Sequence, residues 1–178
     1  MKRCLCVFLF IVVSLGSISA GHADTKLEDD RFLSVTISPI HLIVPMVELT
    51  GEYKLREDMG LAGVVGAGTL SGVLLGEVGA QFRYYAVGSF VHGMQFGLEV
   101  LYAFGGLSSQ GVTAVASGLS IGPFIGYKVM ANIGFTFEIQ LGATFNVVQA
   151  QASSGGTSQT AGNQNFGLLL NINVGWSF

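Results

Sequence analysis

Charged residues are scarce in this sequence. Asp, Glu, Lys and Arg make up 11% of its 178 residues, against about 25% in an ordinary soluble domain. Half of the residues are hydrophobic. So few charges could not cover the exterior of a soluble protein of this size. The composition therefore predicts that much of the surface does not face water.

Long apolar runs are also lacking beyond the N-terminal segment. A membrane-spanning helix needs about 20 consecutive apolar residues. Between residues 24 and 178, Gly, Glu, Gln or Thr interrupts the apolar stretches, often at every second place. A protein that meets lipid without spanning helices has to close its strands into a barrel, because only closure pairs every backbone group in hydrocarbon. These patterns favour a transmembrane β-barrel.

The N-terminal segment is typical of a secretory signal peptide. Lys2 and Arg3 precede an apolar run over residues 5–15, and small residues then lead to Ala23. We expect residues 1–23 to be removed, with cleavage after Ala20 as the alternative. A retained anchoring helix is disfavoured because the apolar run is short. Residues 24–31 are predicted to form a short, mobile periplasmic lead-in, and residues 32–178 the barrel domain.

Cysteine is confined to this predicted signal, at Cys4 and Cys6. Cleavage would leave no disulfide, no thiolate chemistry and no cysteine metal site, and neither cysteine is placed for lipidation. Loss of Lys2 and Arg3 would leave 8 − 2 = 6 basic and 11 acidic residues, a formal charge of 6 − 11 = −5. That charge argues against a nucleic-acid partner, which requires a basic face.

Alternating apolar and polar residues predict eight strands. The alternation is clearest from Ile133 to Val147 and from Phe166 to Phe178. Because successive side chains of a strand point to opposite faces, each segment has one apolar and one polar or small face. The predicted strands cover 32–40, 46–55, 60–69, 74–85, 91–104, 117–128, 133–147 and 166–178. We therefore predict an all-β, eight-stranded, antiparallel up-and-down barrel.

The predicted connections alternate in length. Turns at 56–59, 86–90 and 129–132 are short, whereas links at 41–45, 70–73, 105–116 and 148–165 are longer on the whole. Outer-membrane barrels have short periplasmic turns and longer external loops. The uncharged segment 150–165 is predicted to be the longest loop.

Polar residues are predicted to face the lumen. A network of charged side chains is expected there: Glu48, Glu52, Lys54, Glu77, Arg83, Glu99, Lys128 and Glu138. A hairpin centred on Gly88 would pair Gln81 with Gln95 and place Glu77 opposite Glu99. Two carboxylates that close would share a proton, hold a cation or turn to a basic neighbour. The alternative is a salt-bridge network that only rigidifies the barrel. Inward glycines such as Gly97 either ease its curvature, the favoured interpretation, or leave a narrow solute path.

The complete pattern resembles the small bacterial outer-membrane barrels of the OmpA, OmpX and OmpW type. The resemblance covers the signal, the alternating strands and the terminal Gly175-Trp176-Ser177-Phe178. It implies an outer-membrane location, contact with membrane lipids and lipopolysaccharide, and a monomeric state. It also implies that Trp176 and Phe178 form the signal read by the barrel-assembly machinery. Aromatic residues near the predicted strand ends fit interfacial girdles.

Catalytic patterns are weak. His41 and Ser38 are the nearest approach to a nucleophile and base, but Pro39 separates them and no acid is close in sequence. The spacings predict no metal site and no cofactor. We therefore expect no enzyme. The predicted role is structural or surface-interactive, with a lumen plugged by polar side chains. A narrow channel for small or apolar solutes is the alternative, and a lipid-modifying enzyme the third possibility.

Overall fold

The computed structural model describes residues 30–43, 45–70, 72–109, 112–154 and 157–178. The predicted signal peptide, residues 1–23, lies outside the described residues, as does most of the predicted lead-in. Within the described residues, none of the helical structure has the length and apolar character that a membrane crossing requires.

Eight antiparallel strands form a closed up-and-down barrel, as the alternation predicted. They are β1 Leu33–Ile37, β2 Met46–Arg56, β3 Met59–Leu70, β4 Val73–Gly88, β5 His92–Ser109, β6 Val112–Met130, β7 Phe135–Ser154 and β8 Thr157–Ser177. Each strand pairs with its neighbours in sequence, and β1 pairs with β8 from Ser34↔Ser177 to Ile37↔Val174. The Oγ atoms of Ser34 and Ser177 lie 2.7 Å apart at this seam.

The apolar face of the strands points outward and the polar face points into the barrel, as predicted. Phe137 and Ile139 point outward, and their side chains are 40% and 42% exposed. Glu138 and Gln140, which alternate with them, are buried inside the barrel. The same alternation places Leu61 and Val65 of β3 outside. The interior of the barrel is thus its polar side over the middle of the strands, the reverse of a soluble barrel.

Two of the predicted long loops are strands instead. β7 continues to Ser154 and β8 begins at Thr157, so most of the predicted loop 150–165 is a regular hairpin in which Ala150 pairs with Ala161. The predicted link 105–116 likewise extends β5 and β6. Ser, Gly, Ala and Gln have weak strand propensity, but an established ladder on both flanks overrides propensity. The wall formed by β5 to β8 is therefore taller than the wall formed by β1 to β3.

The first predicted strand, in contrast, is too long. β1 ends at Ile37, and a 3₁₀ helix over Pro39–Ile43 follows it. Proline cannot donate to a strand ladder, which accounts for the early end. Arg31, the last residue of the predicted lead-in, donates to the backbone oxygens of Ala131 and Asn132 in the β6–β7 turn.

The predicted β4–β5 register is wrong. Gln81 pairs with Glu99 rather than with Gln95, and Glu77 lies opposite Ala103 rather than Glu99. The turn is centred on residues 90 and 91 instead of Gly88, and a bulge lies between Tyr85 and Val87. This position follows from packing: Phe90 and Val91 are buried at the short-turn end with Tyr85 and Met130. Gly88 and Ser89, the residues that signal a turn, lie before its centre, so they do not fix the register.

Candidate functional site

Arg83 is the centre of the polar lumen. Its guanidinium donates through Nη1 to Glu52 Oε2 at 2.7 Å and to Glu138 Oε1 at 2.9 Å. Its Nε and Nη2 both donate to Gln81 Oε1, at 3.0 and 2.7 Å. Arg83 is fully buried. A buried guanidinium needs this number of acceptors, because its desolvation is otherwise costly.

Glu52 connects Arg83 to a second cation. Lys128 Nζ donates to Glu52 Oε2 at 2.7 Å and lies 3.6 Å from Glu138 Oε1. The hydroxyl of Tyr85 donates to Glu52 Oε1 at 2.6 Å. Two cations and two carboxylates are thus matched in charge. Glu52 lies on β2 and Lys128 on β6, four strands apart in an eight-stranded ring, so their contact spans the lumen.

Amide side chains extend the network toward the loop end. Gln81 Nε2 donates to Glu99 Oε2 at 2.5 Å and to Gln140 Oε1 at 3.4 Å. Asn171 Nδ2 also donates to Gln140 Oε1, at 3.2 Å. These side chains come from β4, β5, β7 and β8, so the network touches most of the barrel wall. A lumen of eight strands is just wide enough for side chains to fill.

Below the network, apolar side chains close the short-turn end. The β4–β5 turn folds across the barrel, with Phe90 N donating to Glu57 O at 2.9 Å. Lys128 Nζ lies 3.7 Å from the centroid of the Phe90 ring. The rings of Phe90 and Tyr85 pack edge to face at 6.3 Å. Phe90 thus shields the buried charges from the solvent at this end.

Above the network, the tall wall encloses an open cavity of about 760 Å³, which we call the vestibule. Its inward-facing lining is mostly small or aliphatic and includes Val73, Leu75, Ala103, Ala116, Ala150 and Ala161. Glu77 is the charged residue of the described lining. The lumen therefore has three layers: an apolar vestibule, a polar network and an apolar base. The vestibule could not be predicted from the sequence, because the segments that form its walls have the composition of loops.

A second ionisable cluster lies beside the vestibule. His41 Nδ1, from the 3₁₀ helix, is 3.0 Å from Glu48 Oε2. Ligand atoms of His41, Glu48 and Glu77 all lie within 4.8 Å of one another. His41 lies in the connection between β1 and β2, outside the strands. Contact with Glu48 raises the pKa of His41 above its usual value, against the opposing effect of burial, and Glu77 and Glu99 add to the rise.

Six of the eight predicted network residues fall into two groups, and Glu99 and Lys54 have partners of their own. Glu52, Arg83, Lys128 and Glu138 form one ion-pair network. Glu48 and Glu77 belong to the His41 cluster, and Glu99 accepts a hydrogen bond from Gln81. Lys54 pairs with Glu57 of the β2–β3 turn at 2.7 Å. The neighbour of Glu77 is therefore Glu48, not the Glu99 that the predicted register had implied.

Glu48 is an acidic partner of His41 that the spacing of residues in the sequence did not suggest. Ser38, however, is buried and donates through Oγ to Ile172 O at 3.3 Å. That bond turns the hydroxyl to the backbone of β8. His41 therefore contacts Glu48, but the Ser38 hydroxyl bonds to the backbone of β8 and not to His41.

Trp176 and Phe178 lie at the short-turn end and point outward. The Trp176 ring packs against Phe135 with centroids 5.4 Å apart. The backbone oxygen of Phe178 accepts hydrogen bonds from Phe32 and Leu33. Their role as an assembly signal stays a prediction.

Comparison with protein-family models, with curated proteins and with solved structures finds no match for this chain.

Proposed function

We propose that this protein is an integral barrel of the bacterial outer membrane with a structural or surface-interaction role and a plugged lumen. The observation that carries the proposal is the inverted barrel: apolar side chains on the outside, ionisable ones enclosed. Outward residues of neighbouring strands, such as Leu98, Ile125 and Leu141, are each more than 40% exposed. A continuous apolar exterior of this extent is stable only against lipid.

The height of the apolar exterior supports the same conclusion. The ring of Phe135 contacts Trp176 at the start of β7, with centroids 5.4 Å apart, and the ring of Phe145 contacts Phe166 near the middle of the strand, with centroids 5.5 Å apart. Ten residues separate Phe135 from Phe145. At about 3.3 Å per residue and a tilt of about 40°, they span roughly 25 Å, the height of the apolar band in outer-membrane barrels. Paired aromatic rings thus bracket one bilayer thickness.

Substitution on the two sides of this band tests the membrane location. Ile139→Arg places a charge in the middle of the band and is expected to reduce recovery of folded protein from the membrane fraction, since arginine at the midplane costs about 2–4 kcal/mol. Gln151→Arg is the matched control, because Gln151 lies on the same strand beyond the band. Recovery of the wild-type protein in the aqueous fraction without detergent would overturn the proposal.

The polar network supports a plug rather than a channel. Contacts of 2.7 to 2.9 Å join Glu52, Arg83 and Glu138 across the lumen, and Phe90 covers the short-turn end. The purified protein is therefore expected to leave a planar bilayer silent. Steady single-channel openings would support the alternative, a narrow solute path.

The vestibule favours a second candidate role, retention of an apolar solute at the loop end. Its aliphatic lining and volume of about 760 Å³ are typical of small-molecule sites. Ala150→Glu places a carboxylate inside the vestibule and should weaken uptake of an apolar fluorescent probe such as N-phenylnaphthylamine. Gln149→Glu is the matched control, since it adds the same charge one residue away on the outer face. Equal uptake by both variants would exclude this role.

The lipid-modifying alternative is tested by the mass of lipid A from cells that express the protein. A mass shift that is lost in His41→Ala would support it.

A further inference from the structure

We propose that His41, Glu48 and Glu77 bind a divalent transition-metal ion beside the vestibule. The three side chains come from the 3₁₀ helix, β2 and β4, and their ligand atoms lie within 4.8 Å of one another. Ligands at about 2.1 Å from a tetrahedral metal are about 3.4 Å apart. His41 and Glu48 are already at 3.0 Å, so a small movement of Glu77 completes the site. This inference concerns the lumen and does not depend on the membrane location.

The backbone register explains why the two carboxylates meet. Gly66 of β3 pairs with Glu48 of β2 on one side and with Glu77 of β4 on the other. The three residues form one row across the sheet, with Cα atoms of β2 and β4 about 9.5 Å apart. A methyl group at Gly66 would overlap the Glu77 carboxylate. The missing side chain of Gly66 thus creates the space in which Glu48 and Glu77 approach each other.

The burial of Glu77 is independent evidence that this cluster can hold a cation. It is 9% exposed, and its Oε1 atom is buried without a hydrogen-bond partner among the described residues. The ion pairs of Arg83 and Lys128 are made with Glu52 and Glu138, deeper in the barrel. A buried carboxylate oxygen without a partner is destabilising. A metal ion at the cluster would satisfy it.

The donor set indicates the class of metal. One imidazole nitrogen and two carboxylates suit Zn²⁺, Co²⁺ or Mn²⁺, whereas Ca²⁺ and Mg²⁺ prefer oxygen alone. Three protein ligands leave at least one coordination position for water or an added ligand. Because Glu77 lines the vestibule, a molecule held there could reach that position.

Zn²⁺ itself is the probe for the test. The full chain is expressed, extracted in detergent, purified without a polyhistidine tag and treated with EDTA. Intact mass then establishes whether Cys4, Cys6 and His22 remain, since they are also potential ligands. Calorimetric titration with Zn²⁺ is expected to show one equivalent bound to the folded wild-type protein. Titration with Co²⁺ should give a visible absorption band that Zn²⁺ removes.

Two variants should each weaken Zn²⁺ binding at least tenfold: Glu77→Gln, which removes one ligand charge, and Gly66→Ala, which displaces the Glu77 carboxylate without removing any ligand. His92→Asn and Glu57→Gln are matched controls, because both residues lie at the short-turn end. Circular dichroism and heat-dependent gel mobility check that every variant folds. The proposal is overturned if the folded wild-type protein binds no Zn²⁺, if the cluster variants bind it as tightly as the controls, or if Mg²⁺ competes at equal concentration.

Discussion

Glu52 and Lys128 meet at 2.7 Å although they belong to strands on opposite walls of the barrel. Neither side chain has access to solvent, and Arg83 and Glu138 complete the charge balance around them. This ion pair therefore fills the lumen and connects β2 to β6 on the opposite wall. The charged side chains inside this barrel pair with one another, so their presence in the lumen does not require a conducting channel.

Removal of one partner of this pair should be strongly destabilising. Lys128→Met leaves Glu52 and Glu138 with Arg83 as their ion-pair partner, and an uncompensated buried charge costs about 3–5 kcal/mol. The free energy of unfolding, measured by urea titration in detergent or lipid, is expected to fall by about that amount. Arg56→Met is the control: Arg56 is largely exposed and lies 3.5 Å from Asp58, so its loss should cost less than about 1 kcal/mol. An equal decrease in the free energy of unfolding in the two variants would contradict a stabilising role of the ion pair between Glu52 and Lys128.

Phe90 should contribute more to stability than a turn residue normally does. It is fully buried, packs on Tyr85 and lies over the ammonium group of Lys128. Phe90→Ala is expected to lower the free energy of unfolding by about 3–5 kcal/mol, since truncation of a buried phenylalanine opens a cavity. Val87→Ala, at an exposed outward position in the same hairpin, should cost less than about 1 kcal/mol. A small effect at both positions would show that the short-turn end is not packed.

The barrel could be predicted from the sequence because strand period and composition are local signals. The alternation through Phe137, Glu138, Ile139 and Gln140 separates two faces of the strand, and the low charge content predicts that the apolar face is the outer one. The ends of the strands could not be predicted as well. The segment 150–165 has a loop composition, yet it pairs because its flanks are already in register.

The candidate site depended on information that no local pattern contains. Whether Glu77 lies near Glu99 or near Glu48 depends on the position of the β4–β5 turn, and that position is decided by burial of Phe90 and Val91. The approach of His41 to Glu48 depends on a 3₁₀ helix that begins at Pro39. A strand register that shifts by a few residues exchanges the partners of every lumen side chain.

Gly97 tests whether the inward-facing glycines leave an open solute path through the lumen. A methyl group at Gly97 would overlap the ring of Phe124, which is buried on the neighbouring strand β6. The space at Gly97 is thus filled by an aromatic ring. Gly97→Ala is expected to lower the free energy of unfolding by about 1–3 kcal/mol through overpacking. Gly63→Ala is the matched control, because a methyl group there meets nothing within 4 Å. A tolerated alanine at Gly97 would favour the open solute path instead.

His41 should make the stability of the protein depend on pH. The folded-state pKa of His41 is raised, chiefly by Glu48. Protonation therefore favours the folded state: the stabilisation is fully present below the unfolded pKa of about 6.5 and is lost as pH rises through the folded pKa. With EDTA present, the difference in unfolding free energy between wild type and His41→Asn should shrink as the pH rises above about 6.5. In a Glu48→Gln background the same comparison should vary less with pH, because the main cause of the raised pKa is gone. A difference that stays constant with pH in the wild-type background would mean that His41 acts through packing alone.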